Sequence, residues 1–372
     1  MFFITFSNLW SFSFFFFLTY TTLIISLITY MLPVLNSPLK YTTSKNKSEF
    51  IMVNASDLMY VFATPLVCII LSLLFWSAPS TSAWFGHIVI TGFQTKLTYL
   101  IVLNFLLIVS VTSSTVYFTS REIYDYTITT FNFLYWIVII FYSNTIFTSI
   151  FVIEVLSTLI FLLLITSTFS STFFYRNLNL SFGHLFQQST PYSYLQSILY
   201  FFWVSLLSSL NLFLFCLFFY FKMFTFDWYL MEHIFIYFTN VASIKEILSL
   251  GMTWFILMFC IFLKCGIAPL YIWKPTFFKG IPFYTIFFYI SFFYFFLFLF
   301  IIHLLTSYFS EIFYFYSVVT LVFVVTGLVT LLFIVCESYY FKAFLAISSI
   351  LNSVFVILAL STTHNTDMFM WL

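Results

Sequence analysis

What most limits the folds open to this chain is a series of uninterrupted apolar runs, each long enough to cross a lipid bilayer. A hydrocarbon core of roughly 30 Å takes about 20 helical residues. On that ruler ten candidate spans fall at 9–31, 58–77, 97–117, 128–143, 146–168, 195–220, 250–273, 283–305, 312–335 and 340–361. The runs are continuously apolar rather than alternating, and turn signals are few, so the strands of a barrel are not expected. With 63% hydrophobic and 6% charged residues, too little polar surface exists to clothe a water-soluble globule. The expected fold class is all-α, a polytopic transmembrane helix bundle of about ten spans. It forms a single transmembrane domain over 1–372, with N-terminal helices in 1–144 and a core in 145–361. The first apolar stretch, running to Met31, has no basic n-region and no small-residue cleavage site, so it reads as a retained helix rather than a signal peptide.

The net charge of +1 produces no large field of either sign, which argues against nucleic acid as a partner. Loop charges give an orientation. With the N-terminus on side one, side-two loops carry Lys40, Lys45, Lys47, Arg121, Arg176, Lys274, Lys279 and the junction residue Lys342, against Lys96, Lys222 and Lys245 on side one. By the positive-inside rule, side two faces the cytoplasm or matrix. The five cysteines lie in or beside apolar runs, with no CxxC pair and no ligand spacing for zinc or iron–sulfur clusters, and read as small buried hydrophobes. The excess of Phe and Tyr, 60 and 26 residues, points to an A+T-biased gene of the kind many organelles carry.

Two charges fall clearly inside apolar spans: Glu154 in the fifth and Lys264 in the seventh. A lysine at mid-bilayer costs roughly 2.5–3.5 kcal/mol on insertion scales, so it is usually kept to handle ions or protons. Pro269, five residues on, lacks an N–H and clashes with the carbonyl four residues back, that of Cys265, so a helix break is expected beside the charge. A buried Glu/Lys pair that opens and closes can load and release a proton; a pair that never opens simply holds two helices together. Lys342 flanks the tenth span, where snorkelling to the interface is the plain alternative to a proton relay. Ser348, Ser349 and Asn352 place polar groups inside that helix.

The stretch KCGIAPLYIWKPTFFKGIP resembles a pattern found in subunit 2 of respiratory NADH:ubiquinone oxidoreductase, complex I. The matching positions are Lys264, Gly266, Pro269, Trp273, Pro275, Gly280 and Pro282. Two further anchors occur in order: Glu154, where the family has a fifth-helix glutamate, and FKAFLAISSILNS from Phe341 to Ser353, with Lys342 at its basic position. The sequence also departs from the pattern. Leu199 stands where the sixth-helix lysine is expected, Tyr294 where the eighth-helix lysine is, Tyr271 for a histidine, and Asn352 for another. Family members generally continue through further helices with a second lysine, implying a separate polypeptide for that part or its loss.

The resemblance implies an antiporter-like fold with a broken seventh helix, in a mitochondrially encoded, multi-pass subunit of the inner membrane. Such a subunit belongs to an NADH:ubiquinone reductase that translocates protons, without a redox centre of its own. NADH, FMN, iron–sulfur clusters and ubiquinone would sit in other subunits. Other membrane-arm subunits and lipids such as cardiolipin would be its partners. Glu154 and Lys264 would form a proton half-channel, Pro269 the helix break, and Lys342 a further relay. The alternatives are a scaffold subunit that has lost pumping and a free-standing cation/proton antiporter.

Overall fold

The computed structural model describes residues 52–53, 81–83, 86–90, 92–115, 118–166, 191–234 without 229 and 232, 244–307, 316–336 and 341–360. The candidate spans at 9–31 and 58–77 lie outside the described residues. The chain divides into two compact units, Met1–Asn144 with Leu162–Phe186, and Thr145–Phe161 with Gln187–Leu372.

In the first unit, β1 (Met52–Val53), β2 (Thr81–Ala83) and β3 (Ile88–Ile90) precede α1 (Gly92–Thr115), β4 (Phe118–Thr119) and α2 (Ser120–Tyr142). β1 pairs antiparallel with β4, and β2 with β3, Ser82 opposite Val89. These two-stranded ladders form no barrel, and the all-α class stands. They lie in the connections, where backbone groups that no helix satisfies pair with each other. α2 starts eight residues before the expected span, because Arg121, Glu122 and Asp125 are compatible with helix although not with hydrocarbon. Gln94 Nε2 donates to Phe141 O at 2.8 Å, joining α1 to the end of α2. The turn that follows is closed by Asn144, whose N–H donates to His87 O at 2.8 Å and whose Nδ2 donates to Gly86 O at 3.0 Å.

The second unit is helical through α3 (Ile146–Thr166, belonging here as far as Phe161), α4 (Pro191–Met223), α5 (Ile244–Cys265) and α6 (Trp273–Gly280). It continues through α7 (Phe283–Phe288), a π-helical segment (Tyr289–Tyr294), α8 (Phe295–Ser307), α9 (Ser317–Cys336) and α10 (Phe341–Leu360). Thr145 caps α3, its Oγ1 accepting from the Thr148 N–H at 3.3 Å. Six helical stretches among the described residues are long and apolar enough to cross a membrane, and the chain is a multi-pass membrane protein with a helical polytopic bundle. Leu210, Phe213 and Phe221 on α4, and Val322, Leu332 and Phe333 on α9, are exposed, as suits helices that face hydrocarbon.

The seventh candidate span is not one helix. It is α5, a seven-residue break, then α6, and α6 packs between α4 and α10. Phe277 of α6 stacks on Phe201 of α4 with centroids 5.2 Å apart, and Tyr289 meets Phe277 at 5.3 Å and Phe278 at 5.8 Å. Gly327 of α9 allows the break to press close. A Cβ there would lie 2.7 Å from the Ala268 backbone carbon and the Pro269 nitrogen.

Candidate functional site

The last turn of α5 explains the site. Gly266, at φ +62, takes the left-handed conformation that ends a helix without a Cβ penalty. Its N–H donates to Leu263 O at 3.3 Å, and the Ile267 N–H donates to Phe262 O at 2.9 Å, the two bonds of a Schellman cap. Pro269, after a cis Ala268–Pro269 bond, lies in the break, and Leu270 N–H returns to Ile267 O at 2.8 Å. Lys264 therefore sits on the final turn of a helix that stops within the apolar run rather than at a membrane face.

Lys264 Nζ is 2.5 Å from Glu154 Oε1 of α3, so residues 110 positions apart meet in one ion pair. The lysine is 7% exposed and the glutamate 31%. Ser157 Oγ donates to Glu154 O at 2.7 Å and lies 3.4 Å from Oε2. A cavity of about 50 Å³ adjoins the lysine, bounded also by Ser149, Cys260, Trp228, Leu257 and Phe300. A cavity needs roughly 10–15 Å³ of probe volume to hold a water molecule, so this one has room for water beside the ammonium. The arrangement can hold a proton between an acid and a base, beside an otherwise largely apolar cavity that Lys264 lines.

The remaining expected residues are dispersed. Lys342, on the first turn of α10, donates from Nζ to Ile281 O at 2.7 Å, satisfying a carbonyl between α6 and α7, and does not meet the Glu154/Lys264 pair. Leu199 lies on an exposed face of α4 and Asn352 on an exposed face of α10. Tyr271 is buried and donates to Thr330 Oγ1 of α9 at 3.3 Å. Tyr294 is the last residue of the π-helical segment, 7% exposed.

Sequence reasoning missed Lys274 by counting it as a loop charge on side two. The structure corrects this: Lys274 is 0% exposed. Its Nζ donates to Cys265 O at 3.2 Å and sits 3.7 Å from the centroid of the Tyr294 ring. The carbonyl that Pro269 leaves without a helical donor is thus met by a lysine. Trp273 Nε1 serves Leu263 O in the same way, at 3.1 Å. The available signal was position: in KPTFFKG the lysine follows the break by only a few residues and precedes a proline that can open a new helix.

No protein-family profile matches the chain, and no curated protein matches it. A search of solved structures finds a chain in respiratory complex I from Thermus thermophilus with bound aureothin, at 15% identity and a TM-score of 0.56. The match covers 92% of this chain and 64% of that one. The likeness is one of fold: the chain is similar to a complex I polypeptide about half as long again as the part it matches.

Proposed function

We propose that this protein is a membrane-arm, proton-translocating subunit of a respiratory complex I, of the subunit 2 type, in the mitochondrial inner membrane. The observation that carries the reading is the Glu154/Lys264 ion pair at the capped end of a helix broken inside the membrane, beside a cavity with room for water. The fold likeness and the motif around Lys264 support it. Electron transfer from NADH to ubiquinone would occur in other subunits of the same enzyme, and this chain would contribute no redox centre. Its partners are the other membrane-arm subunits and the lipids around α4 and α9.

In this reading Lys264 holds a proton while Glu154 is 2.5 Å away. When α3 and α5 separate, the ammonium loses its counter-charge in a low-dielectric site and becomes a better donor. Glu154, which is 31% exposed, then takes a proton, and closure of the pair resets the site. The test is Lys264→Met in the intact complex, with proton pumping followed alongside NADH oxidation and native-gel assembly. We expect an assembled enzyme that oxidises NADH but moves fewer protons per NADH. Full pumping with intact assembly would instead assign the chain a scaffold role.

A further inference from the structure

The cavity beside Lys264 is larger and more apolar than a site for protons and water requires. Its wall follows α3 from Ile146 to Ile153, α5 from Leu257 to Lys264 and α8 from Leu297 to Leu304. Each stretch is two turns of helix, about 10 Å long. One end lies at the ion pair, since Ile153 precedes Glu154 and Lys264 itself closes the α5 stretch. The other lies at the start of α3, where the Ile146 N–H donates to Phe226 O at 3.0 Å and so brings the segment carrying Trp228 against the wall. The space is therefore long and narrow, about 50 Å³ spread over that length.

Apart from Lys264, Ser149 and Cys260, every side chain on the wall is hydrocarbon or aromatic. Ser149 Oγ already donates to Ile146 O at 2.7 Å, and a thiol is a weak donor. A buried water makes about three hydrogen bonds, so water is held at the lysine end and poorly elsewhere. Ligand pockets are mostly apolar with a few placed polar groups, and this one carries a single cation. The present partner of that cation is replaceable. Glu154 is 31% exposed and can be solvated away from the cavity, whereas Lys264, at 7%, must keep a counter-charge. Exchanging one carboxylate for another leaves the ammonium paired.

We propose that this cavity is a binding site for an unbranched, medium-chain fatty carboxylate. Its head pairs with Lys264 from the cavity side in place of Glu154, and its chain lies along α3, α5 and α8 toward Trp228. A length of about 10 Å holds an extended chain of about eight carbons. The head-first orientation follows from charge: a methyl end against the ammonium would leave the carboxylate buried among apolar side chains without a partner. Ile150, half-buried on the wall between the exposed Phe147 and Phe151 of α3, gives the chain a way in from the lipid. The bound state separates Glu154 from Lys264 while the lysine stays paired. The inference concerns binding and does not depend on whether the pair carries protons.

The probe is octanoic acid carrying a photoreactive diazirine in its chain, irradiated with the intact complex in phosphatidylcholine vesicles, with labelled peptides mapped by mass spectrometry. We expect label on the cavity-lining stretches of α3, α5 and α8. Excess octanoate should block it, butanoate more weakly, and octane and octylamine not at all. Lys264→Met should weaken competition by octanoate by roughly tenfold or more, the effect of one lost charge-assisted bond. Glu154→Gln removes the competing carboxylate and should strengthen it. Octanoate should also raise the thermal unfolding transition of the Glu154→Gln complex more than that of the unaltered one, because it returns a counter-charge to Lys264. Equal blocking by octane overturns the inference, since the cavity would then select chain and not charge. Label confined to lipid-facing residues such as Phe213 and Phe333 overturns it too. The competition series in the unaltered complex decides between these outcomes even where a variant fails to assemble.

Discussion

Lys264 and Lys274 stand on either side of one helix break, yet their surroundings differ in kind. Lys264 faces a carboxylate at 2.5 Å and a cavity that can admit water. Lys274 faces a carbonyl and the π-face of a tyrosine and is sealed from solvent. The first environment holds charge by pairing. The second holds it only through a dipole and a quadrupole, both weaker than an ion pair at contact distance. A broken helix thus presents two amines with different tolerance for charge.

The sharpest way to break the contrast is to make Lys264 resemble Lys274. Glu154→Gln removes the counter-charge and leaves an ammonium 7% exposed without its partner. Removing one member of a buried pair typically costs about 3–5 kcal/mol. We expect the lower end of that range, about 3 kcal/mol, because Glu154 itself is partly exposed. Thermal unfolding of the solubilised complex reads the loss, and an unchanged transition would mean that the pair contributes little to holding α3 against α5.

Next in size is a change that moves both lysines together. Gly327→Val places a side chain where a Cβ is already 2.7 Å from the backbone of Ala268 and Pro269. Backbone cannot yield as a flexible side-chain tip can, so the break must shift or α9 must retreat. Overpacking of this sort costs about 1–3 kcal/mol. Stability and proton pumping should fall together, whereas Glu154→Gln acts on Lys264 alone. Wild-type pumping in Gly327→Val would show that the geometry of the break is not critical to either amine.

How much of this was legible beforehand depends on whether the signal is local. Gly266 two residues after Lys264, and Pro269 after that, mark a helix stop by backbone chemistry alone, and the structure ends α5 at Cys265. Glu154 and Lys264 stood out because charges inside bilayer-length apolar runs are few. That they touch was not legible, since it depends on how α3 and α5 rotate about their axes. Lys274 was misread for the same reason. A lysine beside a proline after an apolar run looks like a loop residue unless α10 and the π-helical segment are known to pack over it. The π-helical turn at Tyr289–Tyr294 had no sequence signature, because a run such as YISFFY suits an α-helix equally well.

A smaller effect separates the two carbonyl caps at the end of α5. Trp273→Phe removes the bond to Leu263 O but keeps much of the ring packing against Phe201 and Phe277. A neutral hydrogen bond contributes about 0.5–1.5 kcal/mol net. Because Leu263 O still accepts from the Gly266 N–H, the loss should be about 0.5 kcal/mol, with pumping retained. Thermal unfolding and pumping measured on the same preparation check this, and a pumping defect as large as that of Lys264→Met would show that the neutral cap matters beyond stability.

The smallest expected effect discriminates between the two ends of Tyr294. Its ring face lies 3.7 Å from the Lys274 ammonium nitrogen, while its hydroxyl is buried without a hydrogen-bond partner. Tyr294→Phe keeps the ring and removes the hydroxyl. Deleting an unsatisfied buried polar atom recovers its desolvation penalty, so stability should be unchanged or slightly raised, by up to about 1 kcal/mol. Pumping should persist, because a phenyl face attracts a cation much as a phenol face does. A large loss of pumping in Tyr294→Phe, with normal assembly, would show that the proton passes through the phenolic oxygen and not only over the ring.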